Sequence, residues 1–102
     1  MVSIEQLKKF RDQSNEMFEI SIKQRWIVNL LNGIASGNDK LLVKGYDVFQ
    51  KREHYYDSTN SELVEKCLSD MVRDGYKVIE ETREYVINNN ERVKKKVKYL
   101  TF

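Results

Sequence analysis

The residues of this sequence whose types and spacing could do chemistry are cationic and lie near its end. Lysine or arginine stands at every second position from residue 92 to residue 98, and Val93, Val97 and Tyr99 occupy alternate positions. A period of two is typical of a β-strand, because successive side chains point to opposite faces of a sheet. The pattern therefore predicts a strand with one basic face, which suits the phosphates of nucleic acid.

A second strand is predicted to pair with this one through a turn rich in asparagine. Residues 76–79 and 84–87 are rich in β-branched and aromatic side chains, which favour strands. Asparagine follows at 88–90 and tolerates the positive φ of a tight turn. A two-residue turn would place Arg83 beside Lys96. The candidate DNA-binding residues of this hairpin are Arg83, Asn88, Asn89, Asn90, Arg92, Lys94, Lys96 and Lys98.

The net charge of +2 is small, but the charges are unevenly distributed. Residues 76–102 carry seven basic and four acidic groups, whereas residues 59–75 carry two basic and four acidic groups. The second segment has apolar residues at three- and four-residue steps and then Gly75, so it is predicted to be a helix with a glycine stop. The hairpin is therefore a better electrostatic match to a polyanion than the helix before it.

The earlier part of the chain is predicted to hold two more core helices and an added one. Ser3 and Gln6 form a capping box for a helix over residues 1–15. A second helix over 17–35 has an apolar face of isoleucines and leucines, with Trp26 at its border. A short strand over 40–44, which is expected to pair with the C-terminal hairpin, and a short helix over 46–52 follow. The expected core residues are Leu30, Leu31, Phe49, Leu63, Cys67, Leu68, Met71, Val78 and Val97.

The last third resembles a known family. The run from Leu68 to Ile79, followed after the hairpin by Val97-Lys98-Tyr99-Leu100-Thr101, is similar to the third helix and wing of winged helix-turn-helix domains. The resemblance implies an α+β fold in one domain, residues 1–102. Three core helices would precede a β-hairpin wing (76–102), and residues 1–15 would be a helical extension.

The chain's size, its N-terminal extension and its acidic third helix also resemble the TcpK-like accessory proteins of clostridial conjugative plasmids. This resemblance implies a non-enzymatic, double-stranded DNA-binding homodimer that binds the origin of transfer and assists a relaxase. The wing and the N-terminal part would then matter more than the third helix. Further candidate DNA contacts outside the wing are Lys8, Lys9, Lys23, Arg25, Thr59 and Asn60.

Other interpretations stay open. The hairpin lysines could only solvate an edge strand and protect it from aggregation, a common use of lysine. The first helix could be a packing or dimerisation arm, which we favour over a DNA-binding arm. A plasmid or phage transcriptional regulator is the close alternative. A module that binds protein only would use the surface of Tyr46, Phe49, Tyr55 and Tyr56.

Enzymatic chemistry is poorly supported by the sequence. His54 is the only histidine and Cys67 the only cysteine. Neither belongs to a nucleophile–base pair or a metal-ligand cluster. The glycines form no phosphate loop. We therefore expect no enzyme, metal or cofactor. A lone cysteine on an apolar helix face and the lack of a signal or membrane-spanning run predict a cytoplasmic protein.

Overall fold

The structure is a computed structural model that describes residues 2–88 and 90–102. Its elements are α1 (Ile4–Ala35), β1 (Leu41–Asp47), β2 (Arg52–Tyr55), α2 (Ser61–Arg73), β3 (Lys77–Ile87) and β4 (Glu91–Thr101). The strands form one antiparallel sheet in the order β2-β1-β4-β3. The predicted α+β class is confirmed.

The first two predicted helices are one continuous helix, α1, so the predicted break near residue 16 is wrong. No glycine or proline lies between Ile4 and Asn32, and nothing else in that stretch interrupts the backbone hydrogen bonds. The predicted capping box is confirmed, because the Ser3 hydroxyl accepts from the Gln6 amide and the Gln6 side chain accepts from the Ser3 amide. Gly37, at φ 82°, ends the helix in the left-handed conformation.

The predicted helix over residues 46–52 is absent, and a strand connection takes its place. β1 continues to Asp47, whose carboxylate accepts from the backbone amides of Phe49 at 2.9 Å and Gln50 at 3.1 Å. This short-range capping folds the chain back into β2 as a tight turn. The described part of the chain therefore has two helices where three core helices and an extension were predicted.

The core lies between the two helices and one face of the sheet. Trp26 is fully buried at its centre, and its indole N–H donates to the Asp57 carboxylate at 2.5 Å. The prediction that Trp26 lies at a border is wrong. α1 presents Ile22, Trp26 and Leu30 to the core, at steps of four residues that share one helix face.

Most of the expected core residues are buried. Leu63 and Val78 are half-buried and pack against the cluster. Leu31 and Phe49 were expected inside but are 61% and 94% exposed, because Leu31 lies away from the face of Trp26 and Phe49 is in the β1–β2 turn. The buried expected residues are Leu30, Cys67, Leu68, Met71 and Val97.

α2 ends as the sequence predicts. Gly75 has φ 105°, and its amide donates to the Val72 carbonyl at 3.1 Å. The amide of Tyr76 donates to the Met71 carbonyl at 3.0 Å. This pair of bonds is a Schellman motif, which satisfies carbonyls that the end of a helix leaves unpaired. The motif turns the chain sharply from α2 into β3.

The β3–β4 hairpin forms as predicted, but its register differs by one residue. Arg83 lies opposite Lys95, not Lys96, and Glu84 lies opposite Lys94. The connection comprises residues 88–90, one residue longer than the predicted turn, and this moves every cross-strand partner. Pairing of the predicted short strand with the hairpin is confirmed, because Leu41 lies opposite Leu100.

The buried tryptophan gives a test of the core. Replacing Trp26 with Ala should lower the free energy of unfolding by about 3–5 kcal/mol, because it removes a fully buried aromatic side chain. Chemical denaturation followed by far-UV circular dichroism measures the change. The matched control is Phe49→Ala, which should stay within about 0.5 kcal/mol because this ring is exposed. Equal effects of the two substitutions would contradict the core described above.

Candidate nucleic-acid interface

The β3–β4 hairpin is covered by helices only at its base. Val78 and Leu100 lie opposite each other and pack with the core. Because side chains alternate, the even-numbered residues of both strands share this helix-side face, and the odd-numbered residues form the opposite face, on which Ile87, Val97 and Tyr99 are buried. From Thr82 outward, the helix-side residues of both strands are exposed. The outer part of the hairpin is thus available to a partner.

Three of the predicted cations are brought together on this exposed surface. Arg92, Lys94 and Lys96 lie on the helix-side face of β4 and are exposed. Glu84, on β3, lies 3.8 Å from Arg92. Within the described residues, no carboxylate lies within 4.0 Å of the Lys94 or Lys96 ammonium groups. We call Arg92, Lys94 and Lys96 the cationic row.

Lys98 shares this face but is engaged within the protein. Its ammonium lies 3.2 Å from the Glu65 carboxylate and 3.9 Å from that of Glu80, and its side chain is only 22% exposed. Lys98 therefore links β4 to α2. The alternation of cations along β4 predicted that Lys98 is a surface cation. Because α2 covers the base of the hairpin, Lys98 instead has a structural role.

Arg83 lies on the opposite face and is separated from the cationic row. Its guanidinium donates to the Tyr99 hydroxyl. Lys95, which is not among the candidate residues, lies opposite Arg83, and its ammonium is 5.1 Å from the centroid of the Tyr46 ring. The Tyr46 and Tyr85 rings lie 5.7 Å apart. The run of three consecutive lysines at 94–96 is the sequence feature that could have identified Lys95 as a candidate contact.

The tip of the hairpin uses asparagine as predicted. Asn88 has φ 29° and Asn90 has φ 76°, conformations that asparagine adopts more readily than most residues. Both side chains are exposed beyond the cationic row. Asn89 lies outside the described residues, so its candidate role stays a prediction.

Two of the acidic side chains of α2 are paired within the protein. The carboxylate of Glu65 accepts from the Tyr55 hydroxyl at 2.5 Å, and that of Asp70 accepts from Lys23 at 2.7 Å. These two carboxylates therefore tie α2 to the sheet and to α1. The acidic surface that α2 presents outward is therefore smaller than the charge count of residues 59–75 indicates. Lys23, a candidate contact, is half-buried in its ion pair.

The hydrogen bonds of this region shift the titration of its groups. Burial alone would raise the pKa of Glu65, but the hydrogen bonds from Tyr55 and Lys98 outweigh it and leave the pKa below its ordinary value. Burial and the bond to Glu65 raise the pKa of Tyr55. The hydrogen bond from Lys23 lowers the pKa of Asp70.

The other candidate contacts lie outside the hairpin. Lys8, Lys9 and Arg25 are exposed on α1. Thr59 is exposed at the start of α2 and lines a groove of about 410 Å³ there. Asn60 is the N-cap of α2 and its side-chain oxygen accepts from the Leu63 amide at 3.2 Å, so it is already used. The structure does not gather these residues into one site.

Comparison with known proteins adds no further assignment. A scan of family models, a search of curated proteins and a search of solved structures each found no match to this chain. Among the described residues, no group of three or more histidine, cysteine, aspartate or glutamate side chains is arranged to hold a metal ion. None of the described helices combines the length and apolar character needed to cross a bilayer.

The shifted pKa of Glu65 predicts a pH-dependent stability. Because the folded-state pKa is below the ordinary 4.5, the stabilisation is present above that value and is lost as the pH falls through the folded pKa. Glu65→Gln should cost no more than about 1 kcal/mol at pH 7. Urea denaturation should show this difference shrinking below pH 4.5.

The control is Glu91→Gln, since Glu91 is exposed and has no cation within ion-pair distance among the described residues. It should leave stability nearly unchanged across the same pH range. A wild-type advantage over Glu65→Gln that persists undiminished well below pH 4.5 would contradict the role of the ionised carboxylate.

Proposed function

We propose that this chain is a non-enzymatic, double-stranded DNA-binding protein whose β3–β4 hairpin supplies most of the affinity. The observation that supports the proposal is the cationic row, Arg92, Lys94 and Lys96, on a hairpin face that the rest of the described chain leaves exposed. Two of these cations have no carboxylate within ion-pair distance in that part of the chain, so phosphate can neutralise them without breaking an internal ion pair.

The spacing of the cationic row suits a nucleic-acid backbone. Alternate residues of an antiparallel strand lie about 6.8 Å apart, so the three cations cover about 14 Å along β4. A two-stranded β-ribbon also fits the major groove of B-DNA. The described asparagines of the tip, Asn88 and Asn90, lie where a ribbon could reach base edges while the row contacts phosphates.

The usual docking by a recognition helix has less support. In the helix-turn-helix arrangement, one helix precedes the recognition helix and crosses the backbone, but here β2 precedes α2. Residues 59–75, which include α2, carry two more acidic than basic groups. We propose that the fold is a winged-helix variant in which β2 replaces the second helix. In it, β1 still pairs with β4, the returning strand of the wing.

For the process served, we propose an accessory role at the origin of transfer of a conjugative plasmid, beside a relaxase. The basis is the resemblance of size, N-terminal extension and acidic helix. Transcriptional regulation is the competing role for the same DNA-binding hairpin. A role in protein binding alone has weaker support, because Tyr55 packs against the core and Tyr46 against Tyr85. Of the proposed aromatic surface, Phe49 and Tyr56 are exposed.

The proposal predicts the effect of removing the cationic row. The triple substitution Arg92→Ala, Lys94→Ala and Lys96→Ala should weaken binding to duplex DNA strongly. It should also reduce the steepness of log K against log salt by about 2.7, because each phosphate contact contributes about 0.9. Fluorescence anisotropy with a labelled duplex over a salt series measures both quantities.

The charge-matched control is Lys51→Ala, Lys66→Ala and Arg73→Ala, which removes three exposed cations outside the hairpin. A second comparison, Arg83→Ala with Lys95→Ala, tests the two cations on the opposite face of the hairpin. Asn90→Gly keeps the positive φ and removes the amide, so it should change the preference between sequences and leave the salt slope intact. A larger loss from the control triple than from the cationic row would contradict the proposal.

A further inference from the structure

α1 has a second apolar face that its own chain leaves exposed. Positions 10, 13, 17, 20, 24, 27, 31 and 34 are separated alternately by three and four residues, which is the heptad spacing of a coiled coil. We call these eight positions the outer seam. Six are apolar and are 37–72% exposed, namely Phe10, Met17, Ile20, Ile27, Leu31 and Ile34.

The outer seam and the core-facing residues lie on different sides of α1. At 3.6 residues per turn, the seam is centred about 140° around the helix from Trp26. The core face extends only from Glu19 to Gly33, and residues 4–18 are exposed all around. Over the N-terminal half of α1, a partner on the seam would therefore meet neither α2 nor the sheet, whereas the C-terminal end of the seam borders residues 74–76 and Phe102.

The exposed surface of the chain is larger than its mass requires. A folded monomer of 12.2 kDa is expected to expose about 6,100 Å². This chain exposes 7720 Å², which is about 1,600 Å² more. A standard protein interface takes about 800 Å² from each partner. The excess, to which both α1 and the uncovered part of the β3–β4 hairpin contribute, is about twice the area that such an interface takes from one chain.

We propose that α1 pairs antiparallel with α1 of a second copy, so that the numbers of facing residues add to 37 and the last two seam residues, Leu31 and Ile34, lie opposite the partner's Gln6 and Ser3. Gln13 then faces the partner's Gln24, and Phe10 faces the partner's Ile27. Met17 faces the partner's Ile20 near the two-fold axis. Residues 4–33 of each helix overlap in this register, which covers almost the whole of α1. This inference goes beyond the proposed DNA binding and does not depend on it.

The two polar residues of the seam select this register. Gln13 and Gln24 face each other and can exchange amide hydrogen bonds. A shift of one heptad towards the C-terminus would place Gln13 against the partner's Leu31. That arrangement leaves a buried amide unpaired, which is destabilising. In the proposed register Leu7 flanks the partner's Val28.

The antiparallel direction follows from where the unpaired apolar surfaces lie. A groove of about 380 Å³ runs along the C-terminal half of α1, lined by Ile27, Leu31, Ile34 and Phe102 among others. Phe10, on the seam, and Leu7, which flanks it, are exposed towards the opposite end of the helix. A parallel pair would keep these two surfaces apart at opposite ends. An antiparallel pair lays the N-terminal half of the partner's α1 along the groove.

Cysteine cross-linking tests the direction and the register together. Chains carrying Gln13→Cys mixed with chains carrying Gln24→Cys should form a covalent heterodimer under mild oxidation, whereas Gln13→Cys alone should not. Native Cys67 is fully buried and serves as the internal control in the wild type. Cross-linking of Gln13→Cys with itself would show a parallel pair and overturn the proposal. Failure of the mixed pair to cross-link would also overturn it.

Sedimentation tests the interface without introducing cysteines. The wild type should sediment with twice the mass of the 12.2 kDa chain. Phe10→Asp with Ile20→Asp should raise the dimer dissociation constant by more than about tenfold, since it buries charge in the seam. Lys8→Asp, exposed on α1 outside the seam, is the control and should stay dimeric. A wild type that is monomeric at high micromolar concentration would refute the proposal.

Discussion

The packing of α1 through Trp26 is the interaction on which the rest of the fold depends. The indole ring is fully buried between the helices and the sheet, and its N–H is satisfied by Asp57 in the segment before α2. A buried polar group without such a partner would be costly. The tryptophan therefore fixes α1 against the core and also fixes the point from which α2 begins. The Schellman motif after α2 then sets the start of β3.

The position of α2 divides the cations of β4 into those that are paired within the protein and those that are exposed to a partner. α2 covers the base of the hairpin, where its Glu65 forms an ion pair with Lys98 of β4. On its other side, Asp70 of α2 forms an ion pair with Lys23 of α1. Beyond the reach of α2, Arg92, Lys94 and Lys96 continue the same alternation on an exposed surface. Side chains of one type thus have two roles along one strand. Whether an acidic element faces them decides which role each residue has.

α1 combines two periodic patterns in one helix. The core pattern steps by four residues through Ile22, Trp26 and Leu30, and the outer seam alternates steps of three and four over a longer stretch. A helix that is apolar on two sides needs two partners. The chain supplies one of them, and the proposed antiparallel pairing supplies the second. The same pairing would place two hairpins in a two-fold arrangement, which suits a symmetric DNA site.

The sequence by itself determined the local features of this protein. The capping box at Ser3, the glycine stop at Gly75 and the alternation of β4 depend on residues close together in the chain, and the structure has all three. The α+β class and the pairing of the short strand with the hairpin were also predicted correctly. Local hydrogen bonding and side-chain periodicity are sufficient to specify such features.

Only the tertiary structure decided which apolar residues are buried and which charged residues are paired within the protein. Both Leu30 and Leu31 fit a helical stripe, and the docking of Trp26 decides that Leu30 is buried and Leu31 exposed. Lys94 and Lys98 fit one basic face, and the position of α2 makes only Lys98 internal. One extra residue in the hairpin connection moved Arg83 beside Lys95. These outcomes depend on contacts between distant segments, which the pattern within one segment does not specify.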